Sequence, residues 1–150
     1  MPPRPVSPDC DDPPRGSFAP SANLKWTIKL GGWLHSPPAL AKDGPIYIGA
    51  SGDAKALFAV NPDGIKRWEY PVPGDVKTSP VVGQFGTIYF SAGDDKVRAL
   101  TPDGKKVLEY YAATEVNASP SVGPDETIYL AAWTSGYSLA RRDSFTTWAR

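Results

Sequence analysis

A single cysteine, Cys10, and a single histidine, His35, are all this chain offers to disulfide, thiolate-metal or imidazole chemistry. One thiol excludes an internal disulfide and any multi-cysteine metal site. Charge of one sign is missing too: 16 Lys and Arg balance 16 Asp and Glu. A net charge of zero gives no electrostatic reason to expect nucleic acid or an anionic membrane as partner. No apolar run approaches the roughly 18 residues of a membrane span, and no window shows helical periodicity. Residues 1–17 lack the basic start and apolar core of a secretory signal. Ser7-Pro8-Asp9, ahead of Cys10, is not a small-apolar lipobox, so Cys10 reads as a tail thiol rather than a lipid anchor.

What is abundant is punctuation. Seventeen Pro and 14 Gly, with 7 Tyr and 5 Trp, describe a turn-rich all-β chain. Residues 1–23 carry Pro at positions 2, 3, 5, 8, 13, 14 and 20, and read as a disordered Pro-rich tail. Beyond it the chain repeats. In residues 79–104 three β-rich runs, Pro80-Val81-Val82, Thr87-Ile88-Tyr89-Phe90 and Val97-Arg98-Ala99-Leu100, are separated by Gly, Asp and Pro turns, as in an antiparallel meander.

Ser79-Pro80 and Thr87-Ile88-Tyr89 recur 40 residues later as Ser119-Pro120 and Thr127-Ile128-Tyr129. Upstream, Ser36-Pro37 and Pro45-Ile46-Tyr47 fill the same slots at offsets of 43 and 42. Asn61-Pro62-Asp63-Gly64 matches Thr101-Pro102-Asp103-Gly104, and a fourth run after that turn aligns Trp68 with Leu108. The same frame puts Trp148 in that slot in the third unit and Trp26 ahead of the first. A large side chain recurring in one slot predicts an apolar plug between neighbouring units. Each Ser-Pro begins an innermost strand, where Pro37, Pro80 and Pro120 interrupt no central ladder. Tyr47, Tyr89 and Tyr129 each follow an isoleucine, so the Tyr and Ile rows face opposite inter-blade layers.

A period of about 40 residues with about four strands per unit points to β-propeller blades. The units resemble the PQQ-like β-propeller repeat, shared by quinoprotein dehydrogenases, an outer-membrane assembly lipoprotein and many non-catalytic bacterial proteins. The matching text is Ser-Pro, Ile-Tyr, the Pro-Asp-Gly turn and the Trp after it; Ala59 to Trp68 is similar to that family's tryptophan-docking motif. The resemblance implies an all-β partial propeller of about three four-stranded antiparallel blades. In this reading residues 24–30 form a leading outer strand, and 31–73, 74–113 and 114–150 form the blades. The third copy diverges, with Arg141-Arg142-Asp143-Ser144 in place of the Pro-Asp-Gly turn and a last strand at 145–148. The resemblance also implies a periplasmic or extracellular location.

Catalytic chemistry has little to stand on. His35 precedes Ser36-Pro37 and reads as a partly exposed structural residue. Asp11-Asp12 lies in the tail, and Asp94-Asp95 fills a hairpin turn without the further ligands a Ca²⁺ site needs. The quinoprotein enzymes add an adjacent-cysteine ring, a catalytic Asp and metal ligands to the repeat, and these have no counterparts here. The expectation is a non-catalytic segment without PQQ, Ca²⁺ or other cofactor, serving as a binding or scaffold module for a protein or glycan. The alternative is a piece of a PQQ-dependent dehydrogenase whose catalytic residues lie elsewhere. Three blades are fewer than the about four to eight of a closed ring. Open blade edges and faces are therefore expected, either in an arc cut from a longer propeller or in copies that assemble.

Overall fold

The computed structural model describes residues 23–112, 116–133 and 137–142, with the side chains of 132–142 left aside. Three antiparallel sheets follow one another along the chain. Blade one contains β1 (Ala39–Leu40), β2 (Ile46–Ala50), β3 (Ala56–Val60) and β4 (Lys66–Pro71). Blade two repeats the plan with β5 (Val81–Val82), β6 (Ile88–Ala92), β7 (Lys96–Leu100) and β8 (Lys106–Tyr111). Blade three shows β9 (Ser121–Val122), β10 (Ile128–Trp133) and β11 (Tyr137–Arg142). In every blade the strands pair in chain order, as hairpins joined by tight turns. The innermost strands β1, β5 and β9 touch one another in sequence, which places them on the axis side of the arc.

Burial explains the sequence pattern. The middle strands β3 and β6 are buried at every position, since both faces meet a sheet or its cover. The outer strands β4 and β8 alternate, with Trp68 and Tyr70 half-buried between exposed neighbours. Tyr47, Leu57 and Ala59 of blade one pack against Ile88, Phe90 and Leu100 of blade two. One blade further on, Tyr89, Val97 and Ala99 pack against Ile128 and Leu130. The Tyr row of each blade thus meets the Ile row of the next, as the alternation predicts. Each enclosed Ile or Phe contributes about 1.5–3 kcal/mol.

Three expectations change. Residues 24–30 join no ladder; an outer strand needs a third strand beside it, and none of the described residues supplies one. The innermost strands pair over two residues only, because Pro37, Pro38, Pro80 and Pro120 have no N–H to donate. In blade three the ladder sets Ile128 opposite Arg142, whereas Ile88 faces Leu100. One additional cross-strand pair, Trp133 with Tyr137, lengthens that hairpin by two residues. Arg141 and Arg142 therefore lie inside β11 rather than in a turn. Cys10, Asp11, Asp12, Trp148 and the strand expected at 145–148 fall outside the described residues.

Candidate functional site

Two kinds of contact fasten the blades, and a groove opens beside them. The outer contact begins with the Pro-Asp-Gly turn. Gly104 N–H donates to the Thr101 carbonyl at 2.9 Å, and Thr101 N–H donates to the Lys105 carbonyl at 2.8 Å. The register slips at Ala99/Leu100 to make room, as in a bulged hairpin. Gly104 sits at φ +80°, and a Cβ there would lie 2.9 Å from Trp68 Cδ2. Glycine is needed twice over, for the left-handed backbone and for the approach of the indole. Trp68 Nε1–H then donates to the Pro102 carbonyl at 2.8 Å. The ring leans on Tyr47 of its own blade at 5.7 Å between centroids.

Trp26 repeats this geometry one blade earlier, donating to the Pro62 carbonyl at 2.8 Å over Gly64. The indoles are half-buried clips on the outer rim rather than enclosed plugs. Leu108, with no side-chain N–H to donate, packs into the apolar layer between blades two and three.

The inner contact was not foreseen. The turns at 41–44, 83–86 and 123–126 share one pattern, with the fourth residue donating back to the first carbonyl at 3.1 Å in each. Glycine fills that fourth position in blades one and two, but Glu126 fills it in blade three at φ +59°. A non-glycine in that conformation is uncommon, and its side chain has partners. Glu126 Oε2 accepts from the Tyr89 hydroxyl at 2.9 Å, and Oε1 accepts from Phe85 N–H at 3.3 Å. Gly83 leaves room for the carboxylate, which would collide with a Cβ there. Burial, then the bond to Glu126, pushes the Tyr89 phenol up to about 12. A glutamate where the other copies have Gly44 and Gly86 is the sequence signal that could have revealed this latch.

A second unforeseen group is Arg98, 3% exposed, in the slot that Phe58 fills in blade one. Its Nη1 donates to Asp94 Oδ1 at 2.9 Å, Nη2 donates to Asp94 Oδ2, and Nε donates to Glu109 Oε2 at 3.1 Å. Lys96 donates to Glu109 from the other side at 2.8 Å. A buried cation is tolerable because its donors are met by carboxylates. Arg98 holds the Asp94 carboxyl below its ordinary range. Asp94 thus braces the Gly93-Asp94-Asp95 hairpin, with Asp95 at φ +60°.

The groove lies where the three inner turns converge. It has a volume of about 610 Å³ and is walled by Leu40, Val82, Phe85, Pro102, Val122 and Pro124. Leu40 and Phe85 present large apolar surfaces to solvent, being 72% and 78% exposed. His35 lies toward the opposite end of the inner strand, exposed and stacked on Trp33 at 6.0 Å. Among the described residues no three His, Cys, Asp or Glu side chains gather closely enough to hold a metal ion. Also among them, no helix is long and apolar enough to cross a membrane. The recurrent positions divide by depth: Tyr47, Tyr89, Pro80 and Pro120 are buried, Tyr129 and Leu108 are half-buried, and Pro37 is exposed.

No protein-family model matches the chain, and no curated protein matches it. Solved structures do. BamB from Moraxella catarrhalis aligns with a TM-score of 0.61 at 14% identity, over 73% of this chain and 35% of that one. Quinohemoprotein alcohol dehydrogenase from Comamonas testosteroni aligns with a TM-score of 0.64 at 18% identity, over 81% of this chain and 21% of that one. BBS1N, in a structure with ARL6DN, aligns with a TM-score of 0.56 at 21% identity, over 70% and 36%. The chain thus spans 35% and 21% of the first two structures it resembles. Identities this low speak for fold alone, and the fold of these blades is that of a β-propeller.

Proposed function

We propose that this propeller segment is a non-catalytic binding module that takes a protein partner at the groove formed by its three inner turns. The observation that carries the reading is the exposure of Leu40 and Phe85 at the mouth of that groove. Large apolar side chains held in water are characteristic of recognition surfaces. Phe85 is available for contact because its backbone, not its ring, is used by the fold: its N–H is held by Glu126. Leu40, Val82, Phe85 and Val122 give the groove an apolar wall suited to side chains of a protein, with Lys42, Asp43 and Gln84 on the same lining. Neighbours of this fold include enzymes as well as BamB and BBS1N, so the absence of catalysis belongs to the proposal. BBS1N was solved with ARL6DN bound, an instance of the fold in a protein complex.

Selection of peptides from a display library on the purified protein tests this. Selected binders should lose at least tenfold in affinity to Phe85→Ser and Leu40→Ser, which leave the circular dichroism spectrum unchanged. Binders indifferent to both substitutions would sink the proposal. Specific signals on a carbohydrate array, abolished by the same substitutions, would move the partner class to glycans.

A further inference from the structure

Of the three inner turns, that of blade two stands apart at one slot. Its third residue is Phe85, where blade one has Asp43 and blade three has Asp125. The same turn is the one that a side chain of the following blade reaches. Glu126 Oε1 accepts from Phe85 N–H at 3.3 Å, and Oε2 accepts from the Tyr89 hydroxyl at 2.9 Å. In the preceding seam Gly86 fills the slot of Glu126, and it has no side chain to extend toward turn 41–44. An exposed aromatic ring and a carboxylate that holds its backbone thus coincide at one turn.

Both anchors of that carboxylate lie in hydrogen-bonded structure. Tyr89 belongs to β6 and is paired on both sides, with Val81 and with Ala99. Glu126 leaves a turn closed by its own N–H to the Gly123 carbonyl at 3.1 Å and by Gly123 N–H to the Thr127 carbonyl at 2.8 Å. Thr127 N–H adds a bond to Asp125 Oδ1 at 3.2 Å. A bond to Phe85 N–H fixes the plane of the 84–85 peptide, and with it the direction in which the Phe85 Cβ leaves the chain. A residue already held in its bound form loses less freedom when a partner seats on it.

We propose that Glu126 is a positioning residue of the groove: its carboxylate, steadied by the Tyr89 hydroxyl, holds the Phe85 turn in the form that a protein partner binds. This rests on the reading of the groove as a protein-binding site, and it adds a residue that is absent from the groove's own lining.

Two measurements separate this role from simple fastening of the blades. The first needs no ligand. Amide hydrogen exchange at Phe85 should be about fivefold slower in wild type than in Glu126→Gly. Gly83→Ala, whose new Cβ would displace the carboxylate, should exchange as Glu126→Gly does. The second uses display-selected peptides that Phe85→Ser weakens. Their affinity should fall about fivefold on Glu126→Gly and on Gly83→Ala, and by less on Tyr89→Phe. Glu126→Gln should recover most of it, its amide oxygen accepting from Phe85 N–H while its NH₂ donates to the Tyr89 oxygen. Urea unfolding of Glu126→Gly should stay close to wild type, so that affinity falls without stability. Equal exchange at Phe85 in wild type and Glu126→Gly would overturn the proposal, whether or not a peptide is selected. A peptide that needs Phe85 but ignores Glu126→Gly would overturn it too and leave the groove standing as a binding site. Peptides indifferent to Phe85→Ser as well would overturn both.

Discussion

The seam between blades one and two and the seam between blades two and three have the same apolar filling and opposite fasteners. In the first, Trp68 clips the outer rim through an indole hydrogen bond to the Pro102 carbonyl, and Arg98 sits buried among its carboxylates. In the second, Leu108 fills the tryptophan slot, and Glu126 latches the inner rim by holding the Tyr89 hydroxyl and Phe85 N–H. The comparison teaches that a propeller repeat does not need the same bond at every joint. Side chains of the Tyr and Ile rows set how closely the sheets lie, and polar contacts that differ from seam to seam fix their alignment. Where the indole clip is missing, the second seam adds a carboxylate latch at its inner turns, and the cost was a non-glycine backbone in the left-handed region.

Substitutions can break or sharpen this contrast. The largest effect is expected at the outer clip. Trp68→Ala should lower stability by about 3 kcal/mol, the lower end for an aromatic truncation because the ring is half-buried. Urea unfolding measures it, and a loss no greater than that of Tyr89→Phe would show that the clip is not the main fastener of its seam.

Next comes the buried cation. Arg98→Ala should cost about 2 kcal/mol by taking the guanidinium from Asp94 and leaving Glu109 to its lysines, while Arg98→Lys should recover only part, having lost the fork that reaches both carboxylates. The acid limb of the stability profile gives a second reading. Asp94 titrates below its ordinary 3.8 in the folded state, chiefly through its hydrogen bonds from Arg98. Its contribution is present above that value and is lost as pH falls through the folded one. Arg98→Ala should flatten this part of the profile.

The inner latch is smaller. Tyr89→Phe should cost about 1 kcal/mol at neutral pH. With the folded phenol raised from 10.0 to about 12, its contribution is complete below pH 10 and disappears as pH rises through 12. Wild type should therefore lose more stability than Tyr89→Phe across that window. Equal alkaline slopes for the two proteins would mean that the phenol is not held by Glu126.

Smallest of all is Glu126→Gly. Removing the left-handed strain at φ +59° regains about 1 kcal/mol, which offsets most of the lost bonds to Tyr89 and Phe85. A net change below about 1 kcal/mol, measured beside Tyr89→Phe, separates strain from bonding.

The sequence made the filling legible and the fasteners only partly so. Tyr, Ile, Pro and Trp recur at fixed offsets because every blade must present the same rows to the next, and recurrence is what a single sequence can show. Arg98 and Glu126 are departures from recurrence. Each is intelligible only when its facing partner is known, and Asp94, Glu109 and Tyr89 come into reach through folding. The leading segment was read as a strand because its Trp26 is in phase, yet phase reports the docking of one side chain and says nothing of the ladder. The two-residue shift in blade three came from a longer hairpin, which leaves no mark in a frame fixed at forty. The groove, too, is a product of convergence: Leu40 at the end of β1 and Phe85 and Pro124 in separate turns are far apart in sequence and one surface in space.

The reach of the tryptophan clip has a consequence for how such a chain is made. Trp68 is anchored to a carbonyl 34 residues ahead, and Ser36, at the inner rim, to one 42 ahead. Every joint is therefore sealed by chain that emerges within about one unit of the residue it seals. Closure entropy grows only slowly with loop length, and here the length never grows at all. A nascent chain can secure each sheet as soon as the following turn has left the ribosome, in an order set by translation. Adding or losing whole units changes the number of such steps and leaves the difficulty of each one as it was.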